Sequence, residues 1–284
     1  MRTVFFLLFS LYFLLQTTNS AAQEQTIVGT IEDESTKQGL GYVNIGWLDR
    51  PIGTVSSENG QFSLVVPEDM PDSAILRFSM IGYQAKEFFW RELQGQGTLS
   101  VSLRATVAEI EEITVVDCPI NGRQQKGNYI KRLPSAWMGF ASEELGTEVA
   151  TRIRLKKRRK SHIKELQFWI DNRSGDSLFF RLNIYAVEEG RPGKNLLEEN
   201  IFLEFSTQED LVVIDLEPYR LVYDQDVFVA LEYVRPSGLE KDKGIYFGSN
   251  LFGKNSYVRY VSQAKWVKTP ILNLGFWLEV CEHK

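Results

Sequence analysis

The chain has 284 residues and a net charge of −5, with 43% hydrophobic, 12% aromatic and 24% charged residues. That content excludes a disordered chain, and two cysteines exclude a disulfide-framework protein. With only His162 and His283 present, a histidine-rich metal centre is also excluded, and the length fits one to two domains. Residues 1–22 read as a signal peptide: Arg2, the apolar run Val4–Leu15, then Ser20 and Ala22 at −3 and −1 of a cleavage site. The run falls short of the roughly 20 apolar residues of a membrane span. An uncleaved anchor is the alternative. No cysteine follows the run, so a lipoprotein anchor is not expected. Export would place Cys118 and Cys281 where a disulfide is permitted, and two separate thiols are the other reading.

From Thr26 the chain reads as short strands. Thr26–Glu32, Tyr42–Leu48, Gln61–Val66, Ala74–Met80, Gln84–Phe89 and Leu99–Leu103 are rich in β-branched and aromatic residues. Asn59-Gly60, Pro71-Asp72 and Gly95-Gln96-Gly97 supply turns between them. Phe62 and Leu64 alternate inward against Gln61 and Ser63. The pattern predicts a β-sandwich over residues 23–104.

Four ordered motifs carry a resemblance: Val28–Asp33, Leu40–Ile45, Ile52–Leu64 and Phe78–Tyr83. Together they resemble the carboxypeptidase regulatory-like domain, a transthyretin-like sandwich. Such domains stand at the front of TonB-dependent outer-membrane receptors and on other exported proteins of Gram-negative bacteria. The resemblance implies a fold and an envelope setting, with location in the periplasm or at the outer membrane. It covers residues 26–104 and implies no chemistry.

Residues 105–146 are expected to form a linker, with one short helix near Ser142–Leu145. No plug or long series of membrane strands is recognisable beyond it. Strands resume at Glu148–Leu155, Ile163–Ile170, Phe179–Tyr185, Ile201–Phe205, Leu211–Leu216, Val227–Tyr233, Ile245–Gly248, Ser256–Val261 and Leu274–Val280. These predict a second, jelly-roll-like sandwich over 147–284, making the chain all-β with two sandwich domains.

The sequence carries few of the residue patterns that catalysis requires. A nucleophile triad needs a histidine, and His162 lies in a run of cations. The two cysteines and two histidines have no metal-ligand spacing, no phosphate loop is present, and no cofactor is expected. Candidate carboxylate pairs for a glycosidase-like hydrolase are Glu143/Glu144, Glu198/Glu199, Asp224/Asp226 and Glu240/Asp242, all in expected loops where solvated acids are the rule. Asp224-Gln225-Asp226 also raises a calcium site, but lacks the repeated pattern of one. The chain is therefore read as non-catalytic, with a carboxylate-dependent hydrolase as the alternative.

Two features invite a binding reading. Arg152, Arg154, Lys156, Lys157, Arg158, Arg159, Lys160 and Lys164 form a cationic run without an acid. Its expected place is a hairpin tip, where it contacts an anionic membrane surface or is simply solvated. The net charge of −5 hides this asymmetry: residues 23–116 carry −8 and residues 117–284 carry +2. The second feature is Trp266 with Gln263, Lys265 and Arg259, a set suited to stacking on a sugar ring and binding its hydroxyls. The alternative is a tryptophan packed over the sandwich end, and Trp137 raises the same question. Expected partners are a glycan or an envelope protein, and nucleic acid is not among them.

Overall fold

The computed structural model describes residues 25–106, 122–141, 144–156, 159–171, 177–206, 211–236 and 244–282. Residues 1–22, where a signal peptide is expected, and Cys118, Lys157 and Arg158 lie outside the described residues. The chain is all-β, as expected.

The first sandwich comprises β1 (Gln25–Asp33), β2 (Asn44–Trp47), β3 (Gly53–Val55), β4 (Gln61–Val66), β5 (Ile75–Ser79), β6 (Lys86–Phe89) and β7 (Thr98–Leu103), with a one-turn helix at Trp90–Leu93. One sheet has the order β4-β1-β7 and the other β3-β2-β5-β6. The alternation expected for β4 is present, with Phe62, Leu64 and Val66 buried and their neighbours exposed. These side chains meet Ile45, Trp47 and Phe78 of the facing sheet in one core. Phe62 and Phe78 pack edge-on at 5.6 Å, and Trp47 does so against Trp90 at 5.7 Å. Gly60 takes φ +78°, the left-handed turn conformation expected of the Asn-Gly pair.

The second sandwich begins earlier than expected. β8 (Arg123–Gly127) and β9 (Ala136–Ala141) lie in the segment read as a linker, yet β8 pairs with the last strand and β9 with residues 244–249. Glycine and proline obscured their periodicity, and tertiary pairing formed the strands regardless. Glu144 to Thr147 form a turn in place of the expected helix, and Ser142 and Glu143 lie outside the described residues.

The strands that follow are β10 (Glu148–Ile153), β11 (Ser161–Asp171), β12 (Ser177–Glu188), β13 (Arg191–Asn195), β14 (Ile201–Ser206), β15 (Leu211–Asp215), β16 (Val222–Tyr223) and β17 (Val227–Arg235). β18 (Gly244–Leu251), β19 (Ser256–Arg259), β20 (Val267–Lys268), β21 (Leu272–Leu274) and β22 (Phe276–Glu282) complete it. One sheet runs β13-β12-β17-β10-β19-β20, with β14 also on β12. The other runs β21-β18-β11-β22-β8, with β15 and β16 on β11 and β9 on β18. Phe180 and Leu231 from the first meet Phe168, Phe247 and Phe276 from the second in a shared core.

The expected strand Leu274–Val280 is broken at Gly275. A Cβ there would stand 2.2 Å from Ile130 Cδ1 and 2.9 Å from Gly248 O. The missing side chain lets the chain bend from its pairing with β18 to its pairing with β11. Cys281, in β22, is disulfide-bonded.

Candidate functional site

Strands β12, β17, β10 and β19 bury one face in the core of the second sandwich. Their opposite face carries a row of charge. Arg181 stands opposite Glu232, Glu232 opposite Glu148, and Glu148 opposite Arg259, in direct register across four strands. Arg181, Glu232 and Glu148 are each at most 1% exposed. Charges rarely tolerate such burial unless each is paired and hydrogen-bonded.

The pairing is dense. Arg259 Nε donates to Glu148 Oε2 at 2.7 Å, and its Nη2 lies 2.6 Å from the same oxygen. Glu148 Oε1 accepts from Asn183 Nδ2 at 2.8 Å and from the Tyr185 hydroxyl at 2.9 Å. The Tyr185 oxygen in turn accepts from Arg259 Nη2 at 2.7 Å. Glu232 Oε2 accepts from Arg181 Nε and Asn183 Nδ2, both at 2.9 Å, while Glu232 Oε1 has no hydrogen-bond partner among the described residues. Burial raises the Glu148 pKa, opposed by the Arg259 charge and reinforced by the Glu232 carboxylate. Burial likewise pushes the Tyr185 phenol well above its ordinary value.

Arg181 extends the row into the first sandwich. Its Nη2 donates to Asn44 Oδ1 at 2.7 Å and its Nη1 to Tyr42 O at 2.9 Å. Asn200 Nδ2 donates to Ile81 O at 3.0 Å, and the Asp49 amide donates to Gln263 O at 3.0 Å. The Tyr42 ring lies 5.1 Å from both Phe179 and Phe202. Tyr42 and Asp49 bracket β2, and both sit in left-handed backbone, at φ 62° and 61°. Non-glycine residues hold that conformation only where surrounding contacts impose it. The same two turns reach the second sandwich.

The expected sugar-binding set of Trp266, Arg259, Gln263 and Lys265 divides three ways. Trp266 and Arg259 come together: the guanidinium lies 4.5 Å over the indole, which packs edge-on to Tyr185 at 5.7 Å. Gln263 faces the first sandwich, donating from Nε2 to Ser79 Oγ at 2.8 Å. Lys265 is exposed, 3.8 Å from the equally exposed Asp49.

The cationic run is partly neutralised within the chain. Arg152 pairs with Asp226 at 2.7 Å, Lys164 with Glu217 at 3.5 Å, and Lys156 with the buried Glu282. Arg154, Arg159 and Lys160 are exposed. Of the expected carboxylate pairs, Asp226 is engaged by Arg152 and the Leu155 amide, and Glu144 accepts from the Ala141 amide. Glu143, Glu240 and Asp242 lie outside the described residues. Among the described residues no cluster of three or more acidic, histidine or cysteine side chains has metal-binding geometry.

Sequence reasoning passed over Arg181, Glu148 and Glu232. The signal was present: Glu232 is the only charge in Val227–Val234, and Arg181 the only one in Leu178–Ala186. A lone charge in a strand apolar on both faces marks a buried ion pair.

The family model of the CarboxypepD_reg-like domain matches residues 27–115. That match bears out the resemblance carried by the four motifs, which was expected over residues 26–104. The TonB-dependent receptor P3 of Formosa agariphila is 32% identical over 95 residues, covering 34% of this chain and 9% of the receptor. Among solved structures, the cysteine protease and lectin-like domains of Cwp84, a surface layer associated protein of Clostridium difficile, align with 85% of this chain and 59% of theirs. That alignment has a TM-score of 0.40 at 8% identity, and carries no argument about function.

Proposed function

We propose that this chain is an exported, non-catalytic binding or scaffolding protein of a Gram-negative envelope, at the periplasmic or outer-membrane level. In this reading the regulatory-like domain is a structural platform for the second sandwich, which recognises a glycan or an envelope protein. The observation that carries the proposal is the Arg181 clamp. One fully buried guanidinium holds Glu232 on one side and Asn44 and Tyr42 on the other, tying both sandwiches into one body. Its carboxylate partner Glu232 accepts through Oε2 from both Arg181 and Asn183, an arrangement suited to holding shape. The envelope setting draws on the domain family and on the receptor that shares it. Half-buried Trp266, braced by Arg259 and Tyr185 beside exposed Lys265, is the proposed contact for a sugar ring.

Affinity capture from native envelopes, with a glycan array in parallel, tests this. Wild type is expected to retain a glycan or an envelope protein without turning over polysaccharide. A folded Trp266→Ala variant should lose glycan retention. Hydrolysis of a polysaccharide, abolished by a single carboxylate substitution, would replace the proposal with the hydrolase reading.

A further inference from the structure

The turns joining β18 to β19 and β20 to β21 form a corner unlike the rest of the surface. Phe252 takes φ 65°, a backbone region that a bulky side chain avoids, and its amide donates to Ile271 O at 2.7 Å. That bond pins two apolar side chains outward together. Phe252 is 86% exposed, Ile271 55% and Leu251 45%. The Leu251 amide donates to Ser135 Oγ at 3.3 Å, bringing the preceding turn alongside, where Leu133 is 76% exposed. Single exposed hydrophobics are ordinary, whereas four on adjoining turns are a patch.

Charge supplies the second observation. Residues 128–136, 251–257 and 267–273 contain Lys131, Arg132, Lys254 and Lys268, and no acid, in a chain whose net charge is −5. All four cations are exposed. Apolar tips bordered by cations match the two layers a protein meets at an anionic bilayer, acyl boundary below and phosphate above.

We propose that this corner is a membrane-contact site, in which Phe252, Ile271, Leu251 and Leu133 enter the interface of an anionic bilayer. Lys131, Arg132 and Lys254 engage lipid phosphates around them. The proposal goes beyond the glycan or envelope-protein reading and does not depend on it, because purified protein and defined vesicles suffice to test it.

The test is co-sedimentation with phosphatidylcholine vesicles, with and without phosphatidylglycerol. Wild type should bind the anionic vesicles preferentially, and rising salt should weaken binding. The double variant Phe252→Ser/Ile271→Ser, checked for an unchanged melting curve, should bind about tenfold more weakly. Lys254→Glu and Arg132→Glu should each cost about fivefold or more. Arg159→Glu/Lys160→Glu, at the other cationic turn, should leave binding within about twofold. All variants share one amino terminus, so differences between them report the corner. A Phe252→Trp variant supplies a local readout, with added fluorescence that shifts blue and is quenched by brominated lipid. Undiminished binding in the Phe252/Ile271 variant, equal binding to neutral vesicles, no binding at all, or loss only in the Arg159/Lys160 variant would each overturn the proposal.

Discussion

Two charged regions of the second sandwich differ in what they do. The Arg152–Lys164 run concentrates eight cations in thirteen residues, and it is conspicuous in the sequence. In the fold, Arg152 and Lys164 meet Asp226 and Glu217 near the surface, Lys156 reaches the buried Glu282, and Arg154, Arg159 and Lys160 stay exposed. The row Arg181–Glu232–Glu148–Arg259 is composed of single charges scattered through 112 positions, yet it assembles in register and joins two sandwiches. Charge density along the chain is therefore a poor guide to electrostatic consequence. Burial is a better one, because a cation in water gains little from a partner and a buried one depends on it.

This contrast can be broken by substitution. Arg181→Met leaves Glu232 buried without its cation and should destabilise the protein by about 3–5 kcal/mol in urea titrations. Arg159→Ala in the exposed run should change stability by no more than about 0.5 kcal/mol. Adding Glu232→Leu to Arg181→Met should restore much of the loss, since replacing both partners removes the orphaned charge. Equal effects at Arg181 and Arg159 would erase the distinction between the two regions.

A smaller effect separates holding the row together from holding the sandwiches together. Asn44→Ala removes one of the two Arg181 bonds to the first sandwich, leaving that to the Tyr42 carbonyl and keeping the Arg181–Glu232 pair. The expected loss is about 1.5–3 kcal/mol, accompanied by separation of a single calorimetric transition into two. One unchanged transition would mean that the Tyr42 carbonyl and its ring contacts suffice for the junction.

The smallest expected effect is on pH dependence. Burial raises the pKa of Glu282, but ion pairs with Lys126 and Lys156 outweigh it and hold the carboxyl below the ordinary 4.5. A depressed folded-state pKa contributes stability that is full above about pH 4.5 and is lost as pH falls through the folded value. The stability difference between wild type and Glu282→Gln should therefore be constant near neutrality and shrink in acid. A difference independent of pH would show that Glu282 acts through packing alone.

Much of the fold was legible in residue order. Alternation in Gln61–Val66 and in Leu166, Phe168 and Ile170 located strands because a pleated sheet with one buried face imposes that period. The four motifs located the first domain because its turns demand particular glycines. β8 and β9 were not legible, because their strand character comes from partners more than a hundred residues away. The candidate site was legible only in fragments. Trp266 and Arg259 were picked out and do touch, but as a stacked pair bracing a buried seam, with Gln263 turned to the other sandwich.

The sequence by itself determined an all-β chain and the uneven distribution of charge, since these depend on local periodicity, turn chemistry and composition, and its four motifs carried the resemblance to the regulatory-like domain. Only the tertiary structure decided which charges are buried. Register across four strands aligns Arg181, Glu232, Glu148 and Arg259, and no local rule relates residues so far apart. The exposed corner at Phe252 was decided the same way: a hydrophobic residue in sequence is expected inside, and only the fold shows which ones it leaves in water.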